Sequence, residues 1–460
     1  MSRRVVTVGL VLLAAGLVVG VTAVARPAAR PARQSPGLPP QTVVQGFPGE
    51  RFDRNVPRPA EPFHEDNYPN TDTAWAVEWD ITNPGNGPPG FSGSAPSSVL
   101  KIKSAHFRYK DKDGKPRWVT VLKDLELGEV FVPYDTGSPR YEDVETFGFW
   151  ITKADPKLLG PPCVAPGEVL KCPDPLKTDK VFCEVHDDGV RWVADASFAG
   201  PDHGRRGQKL TLWAVFYGAN YRYLIEYGFA DDGTLSARLG ATARNLLPRQ
   251  PTQRDVHLHV GCWAFDPHLG DPTDPAAGGP DRNSVQLVRR VQQLPGIPDG
   301  RFRIDVSPFP AGPGASGPAR PGAAMWVPEE FTALRVESTV RRNGNPDPQP
   351  TGYDLMTVRT GSCRNFPGPR FEYANRDFWV TAADPSFTEF RQVPEYVERS
   401  PGTLDGKPVR VWHNAAVLHV PRAEDFGPDG RSNANGLAIA AYAGFHLKPR
   451  NLFDKTPLFE

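Results

Sequence analysis

Residues 209–245, KLTLWAVFYGANYRYLIEYGFADDGTLSARLGATARN, and residues 255–266, DVHLHVGCWAFD, decide how this chain folds. The run 210–229 is rich in β-branched and aromatic residues, Asp231-Asp232-Gly233 is a turn, and 234–242 alternates again, which predicts a β-hairpin. In the strand that follows, side chains two apart share a face, so His257 and His259 can offer both imidazoles to one metal ion. Two imidazoles suit zinc, copper, iron or nickel, and their spacing does not choose among these. On these residues alone, the pair also reads as the polar face of an ordinary strand.

Outward from that stretch, the chain reads as all-β. Short strands are predicted over 74–81, 99–109, 117–122 and 127–133, separated by Gly, Pro and Asp-Gly turns, of which Asp113-Gly114 is the clearest. No segment there has a sustained helical period. Strands at this spacing predict a large β-sandwich rather than an alternating α/β fold. With 51 Pro and 44 Gly in 460 residues, turns are frequent and loops long. The 53 basic and 53 acidic side chains cancel, so no electrostatic footprint points to nucleic acid.

The N-terminal end reads differently. Arg3-Arg4, an apolar run over 5–24, and Ala23-Val24-Ala25 before Arg26 fit an export signal over 1–25. The run is also about as long as a membrane span, and Arg26, Arg30 and Arg33 follow it, which leaves an uncleaved membrane anchor as the other reading. Ser2-Arg3-Arg4 weakly resembles a twin-arginine signal. Each reading puts the folded part outside the cytoplasm: secreted, periplasmic or tethered at the cell surface. Residues 26–70, rich in Pro, Arg, Gln and Gly, read as a flexible lead-in to a folded domain over 71–460.

Four blocks bear on function together. Asn220-Tyr221-x-Tyr223, then His257-x-His259, then LHVPRAED over 418–425, then LKPRNLF over 447–453 resemble, in order and approximate spacing, the catalytic domain of the copper amine oxidases. The resemblance covers roughly 74–460 and implies that family's large β-sandwich, here in a form without the extra N-terminal domains of larger members. It implies a copper ion held by His257, His259 and His419, and topaquinone made from the ring of Tyr221 beside Asn220. His413, at the same strand parity as His419, is the first substitute ligand, whereas His268 and His446 read as loop or surface residues. A tyrosine ring is not an electrophile, whereas a quinone carbonyl is one toward a primary amine.

The activity implied is oxidative deamination of a primary amine by dioxygen to an aldehyde, with release of ammonia and hydrogen peroxide. Val132-Pro133-Tyr134, Tyr141-Glu142-Asp143-Val144 and Gly148 resemble the family's segments around the catalytic base. By that match Asp143 abstracts the proton, Tyr134 hydrogen-bonds the quinone, and Tyr141 stands at the substrate gate. A carboxylate base works best if burial raises its pKa toward neutrality. The resemblance also implies a homodimer, and a peripheral ion site, for calcium, of which Asp266 matches one acidic ligand while its next-but-one neighbour is His268.

Of five cysteines, 163, 172, 183, 262 and 363, the resemblance implies a disulfide from Cys183 to Cys172 or Cys163. Cys262 lies an odd number of residues from His259 and points away from the metal. Two positions in the cofactor loop depart from the family pattern, Arg222 in place of an acidic residue and Tyr217 in place of a threonine, and after Glu424-Asp425 the family's Pro-x-Met-Pro gives way to Gly427-Pro428-Asp429-Gly430. Arg222 is expected to alter how the ring is held or to repel a cationic amine. The same fold with its histidines would also serve a non-catalytic, exported copper-binding or scaffold protein.

Overall fold

The computed structural model describes residues 42–47, 73–83, 97–134, 140–151, 180–194, 203–218, 221–243, 256–272, 274, 278–292, 302–310, 317–364, 368–385, 389–400, 402–420 and 438–454. Among them are 19 strands, numbered in chain order, in two large antiparallel sheets. The first sheet runs β1 (Thr42–Phe47), β2 (Thr73–Ile81), β3 (Leu100–Lys110), β4 (Pro116–Pro133), β11 (His257–Pro267), β18 (Val409–His419), β17 (Phe378–Ala382), β14 (Gly322–Ala324), with β5 (Arg140–Glu142) on β4. The second runs β13 (Phe302–Pro308), β12 (Asn283–Gln292), β15 (Ala333–Arg342), β16 (Pro350–Val358), β19 (Ala438–Arg450), β10 (Leu235–Ala243), β9 (Tyr221–Ala230), β8 (His203–Gly218), β6 (Trp150–Ile151), with β7 (Val181–Ala194) on β8.

The hairpin forms as its sequence predicts, with one change. The aromatic run 210–229 is divided between β8 and β9, which pair with each other and set Gly218 opposite Tyr221. At the next turn Gly233 takes a left-handed backbone (φ 86°), the Ala230 N–H donates to the Thr234 carbonyl, and Asp232 accepts from the Thr234 N–H. A Cβ at Gly233 would meet the Phe107 ring at 2.9 Å. In β9, Tyr221, Tyr223, Ile225 and Tyr227 face inward and the residues between them face out.

The inner faces share one apolar core, with Trp75, Phe107, Val130 and Val132 from the first sheet against Leu212, Phe216, Ile225 and Phe229 from the second. Hydrogen bonds cross it as well. The Trp75 indole N–H donates to the Ala230 carbonyl (2.7 Å) and the Tyr227 hydroxyl to the Leu100 carbonyl (2.8 Å). A second apolar cluster lies on the other side of the first sheet, where Cys262, Trp412 and Phe131 meet Tyr373, Phe390 and Val393. This covering makes the central strand β11 buried on both faces, so its sequence lacks the alternation of a half-exposed strand.

Two expectations need correction. The strands predicted over 117–122 and 127–133 are one strand, β4, whose pairing with β11 is irregular around Asp124, where φ is 51°. Within the lead-in expected to be flexible, β-branched Thr42, Val43 and Val44 belong to β1, which pairs with β2 from Thr42↔Glu78 to Phe47↔Thr73. Residues 1–41 lie outside the described residues, and with them the export or anchor segment.

Removing the Tyr227 hydroxyl leaves a buried carbonyl without this donor, which costs about 1–3 kcal/mol. Tyr227→Phe should therefore lower the denaturant midpoint without changing the slope of the transition. An unchanged midpoint would mean that this bond contributes nothing net.

Candidate metal and quinone centre

The site lies between the sheets, where register brings four elements together. β11 and β18 pair so that His257 stands directly opposite His419, and an isolated bridge joins His257 to Tyr134 beyond the end of β4. His259, two residues on, shares the face of His257. From the opposing sheet, β9 brings Tyr221 and Tyr223 inward. Gly218, opposite Tyr221, has the space of its missing side chain filled by the rings of Phe149 and Tyr223, which a Cβ would meet at 2.5 and 2.8 Å.

His257, His259 and His419 are all buried, and each offers a nitrogen within 4.8 Å of the others. His257 Nε2 is 3.1 Å from His259 Nε2 and 3.2 Å from His419 Nδ1. An ion bound tetrahedrally about 2.0–2.1 Å from each nitrogen sets the nitrogens roughly 3.3 Å apart, so the cluster fits a transition metal with little movement. The Tyr221 hydroxyl lies 2.8 Å from His257 Nε2 and 3.1 Å from His419 Nδ1. The phenol oxygen thus stands against the point where the imidazoles converge.

Behind this cluster runs a second chain of polar groups. The Tyr223 hydroxyl donates to Asp143 Oδ2 (2.5 Å) and lies 3.3 Å from His259 Nδ1. With its proton committed to Asp143, the Tyr223 oxygen accepts from His259 Nδ1–H, which leaves the Nε2 lone pair for a metal. Burial, then the neighbouring His257 and His419, push the His259 pKa well below its usual value, so its ring is neutral, as a ligand must be. Burial also lifts the Tyr223 phenol far above its usual range and keeps it a donor. Asp143 is buried, and desolvation raises its pKa to about 7 against the opposing effect of the Tyr223 hydrogen bond.

Asp143 opens a single π-helical turn, Asp143–Phe147, directly after β5. The Tyr134 ring stacks on His257 (centroids 4.5 Å apart, 24° between planes) and meets half-buried Tyr141 edge to face at 6.1 Å. A cleft of about 320 Å³, lined by Tyr134, His257, Leu258, Gly361, Ser362 and Leu418 among others, opens beside them. The structure therefore gathers Tyr134, Tyr141, Asp143, Tyr221 and the three histidines at one place, while Asn220 lies outside the described residues.

Other expected residues stand elsewhere. Asp266 gives both carboxylate oxygens to Arg410 (2.6 and 2.8 Å), so the anion that was to help hold calcium is engaged in a bidentate ion pair. Among the described residues the three histidines form the one cluster that could hold a metal. His413, the substitute ligand, is a core residue that donates from Nδ1 to the Asp377 carbonyl and reaches Thr357 Oγ1 through Nε2. His446 lies in β19 rather than in a loop. Cys262 is a buried free thiol that packs in the outer cluster as its parity requires, and Cys363 is buried in the same cluster. Cys163 and Cys172, and the side chain of Cys183, lie outside the described residues.

Arg222 corrects a further expectation. Its alternation in β9 turns it to the outer face, where its guanidinium lies 3.1 Å from the centroid of the Tyr217 ring. Tyr217 is its direct cross-strand partner and stacks in turn on Trp150 (5.1 Å, 10°). These two departures are thus one contact on the outer face of β9, from which Arg222 Nη1 also donates to the Tyr221 carbonyl (3.0 Å).

No family model matches the chain. In sequence it is similar to the histamine oxidase of Arthrobacter globiformis, 23% identical over 75% of this chain and 52% of that one. It is also 23% identical to the peroxisomal copper-containing amine oxidase alpha 2 of Arabidopsis thaliana, over 75% of this chain and 55% of that one. The chain spans about half the length of these relatives. In fold it is similar to a copper-containing benzylamine oxidase from Hansenula polymorpha, with TM-score 0.56, 16% identity, and coverage of 81% of this chain and 62% of that one. An Aspergillus nidulans amine oxidase gives TM-score 0.54 at 16% identity, covering 93% of this chain and 57% of that one. The curated relatives of this chain in sequence, and its neighbours in large antiparallel β architecture, are copper amine oxidases.

Proposed function

We propose that this protein is a copper- and topaquinone-dependent primary-amine oxidase, which converts an amine, dioxygen and water to an aldehyde, ammonia and hydrogen peroxide. The observation that carries the proposal is the Tyr221 hydroxyl at 2.8 and 3.1 Å from two nitrogens of the three-histidine cluster, with buried Asp143 one tyrosine behind. The donor set fits copper: three imidazoles, one of them neutral by burial and oriented through Nδ1, converge against a phenol. When bound, copper supplies the dioxygen chemistry that turns the Tyr221 ring into topaquinone, the electrophile toward the amine.

The remaining work falls to the chain's own side chains. Tyr223 stacks beside Tyr221 and is backed by Phe149, Tyr134 stacks on His257, and Tyr221 itself is buried, so the site excludes water. Asp143, as a carboxylate, takes the proton from the carbon next to the amine nitrogen. Tyr223 fixes the carboxylate by donating to one oxygen and leaves the other for the substrate proton. Tyr134 is assigned to hydrogen-bonding the quinone, and Tyr141, half-buried at the edge, to the gate. Asn220, next to Tyr221 in sequence, is assigned to the catalytic set by the family resemblance. The stacking of Arg222 on Tyr217, on the outer face of β9, supports the catalytic reading over a non-catalytic copper-binding or scaffold protein on the same fold. The proposal extends to an exported homodimer, on the strength of residues 1–25 and of the family resemblance.

Copper-loaded, aerobically incubated protein treated with phenylhydrazine should develop a visible hydrazone band that Tyr221→Phe lacks. Wild-type protein that holds copper and gives no band would overturn the oxidase reading. In the pH dependence of turnover, the active form of Asp143 is the carboxylate, so kcat should rise as pH increases through about 7. Asp143→Asn should lose about 10²–10⁴-fold in kcat and keep its copper. Stability has the opposite sign: the raised pKa means the fold favours protonated Asp143, so its contribution falls between the ordinary carboxyl range and about 7. Thermal melts should therefore show Asp143→Asn gaining on the wild type as pH rises through that window.

A further inference from the structure

The turn that carries Asp143 is held from outside the site by a buried carboxylate that the reaction itself does not use. A helical turn leaves its first N–H groups without partners of its own. Here the residue preceding the turn, Glu142, provides no side-chain cap. Glu129 does so from β4: its Oε1 accepts from the Val144 N–H (2.8 Å) and the Val130 N–H (2.8 Å), and its Oε2 from the Glu145 N–H (3.2 Å).

Glu129 is 6% exposed and directly opposite Cys262 in the β4–β11 pairing, so its strand position is fixed relative to the histidine strand. Further contacts secure the turn. The Tyr373 hydroxyl and Arg370 donate to Glu142, and the Ser97 hydroxyl donates to the Val144 carbonyl (2.6 Å). Asp143 is thereby gripped twice: its side chain by Tyr223 on the inner side, and the backbone just after it by Glu129 on the outer side.

From this geometry we propose that Glu129 is a positioning residue, which sets the Asp143 carboxylate at its working distance from the ring of Tyr221. The inference rests on the oxidase reading and adds to it a second carboxylate with a distinct task. Proton abstraction depends steeply on the placement of the base, and a shift of about 1 Å costs on the order of 10²-fold in rate. The hydrogen bonds of Glu129 go to the Val130, Val144 and Glu145 N–H groups and not to the histidines or Tyr221, so its loss acts on the proton step and leaves cofactor formation intact.

Glu129→Gln is nearly isosteric, but its amide must turn an N–H₂ toward one of the N–H donors the carboxylate now accepts. In the full copper-loaded chain, Glu129→Gln should retain the copper content and hydrazone band of the wild type. Its kcat should fall about 10–100-fold with little change in KM, and the isotope effect with α-deuterated amine should increase as proton abstraction becomes more limiting. Glu129→Asp, which restores two acceptor oxygens on a shorter stem, should recover part of the rate. If Glu129→Gln fails to reach the copper-loaded state, Glu129→Asp carries the same two readouts, with a smaller loss expected. A kcat and isotope effect at wild-type values would overturn the inference, as would a lowered kcat with an unchanged isotope effect, which marks a merely structural role. Wild-type protein without a hydrazone band would instead remove the oxidase reading, and this inference with it.

Discussion

Three imidazole nitrogens held 3.1–3.2 Å apart along the chain of contacts from His259 through His257 to His419 are a demanding arrangement inside a protein core. Lone pairs aimed at one another repel unless a proton or a cation lies between them, and a metal ion at their focus turns the repulsion into binding. The fold spends much of its order on holding them there. β11 is covered on both faces, β18 is registered so that His419 faces His257, and Tyr223 orients His259 from behind. Without that rigidity the rings would turn to separate hydrogen-bond partners, as His413 has done a few residues away.

The second sheet supplies the organic half of the centre. Because β9 alternates strictly, Tyr221 and Tyr223 reach inward together, one against the imidazoles and the other bridging to Asp143. The same alternation sends Arg222 outward onto Tyr217. One register therefore decides which side chains take part in chemistry and which stabilise the outer surface, and a one-residue slip of β9 would exchange them. Desolvation then tunes the parts in useful directions: it keeps His259 neutral, Tyr223 protonated, and Asp143 near the point where a carboxylate can act as base at neutral pH.

Strand periodicity was enough to put His257 and His259 on one face and Cys262 on the other, and the turn at 231–233 was legible from Asp-Asp-Gly. His419 and Asp143 depended on the family resemblance, since nothing local distinguishes them from other histidines and loop carboxylates. What stayed hidden involves partners distant in sequence or across a strand pair. Arg222 looked like an intrusion until its cross-strand neighbour Tyr217 was known, and Asp266 looked available until Arg410 was found beside it. Glu129 gave one faint signal, a carboxylate next to the apolar run Val130-Phe131-Val132, but its three backbone donors come together only in the fold. The continuous β4 was missed because an irregular strand interrupts its own alternation around Asp124.

The central claim is that the histidine cluster exists to modify and serve Tyr221. Peptide mass spectrometry on protein incubated with copper in air tests it most directly. The account predicts that the peptide containing Tyr221 gains two oxygen atoms and loses two hydrogens, only when both copper and dioxygen are supplied, and that the change maps to Tyr221 rather than Tyr223. An unmodified Tyr221 in protein that demonstrably holds copper would contradict it.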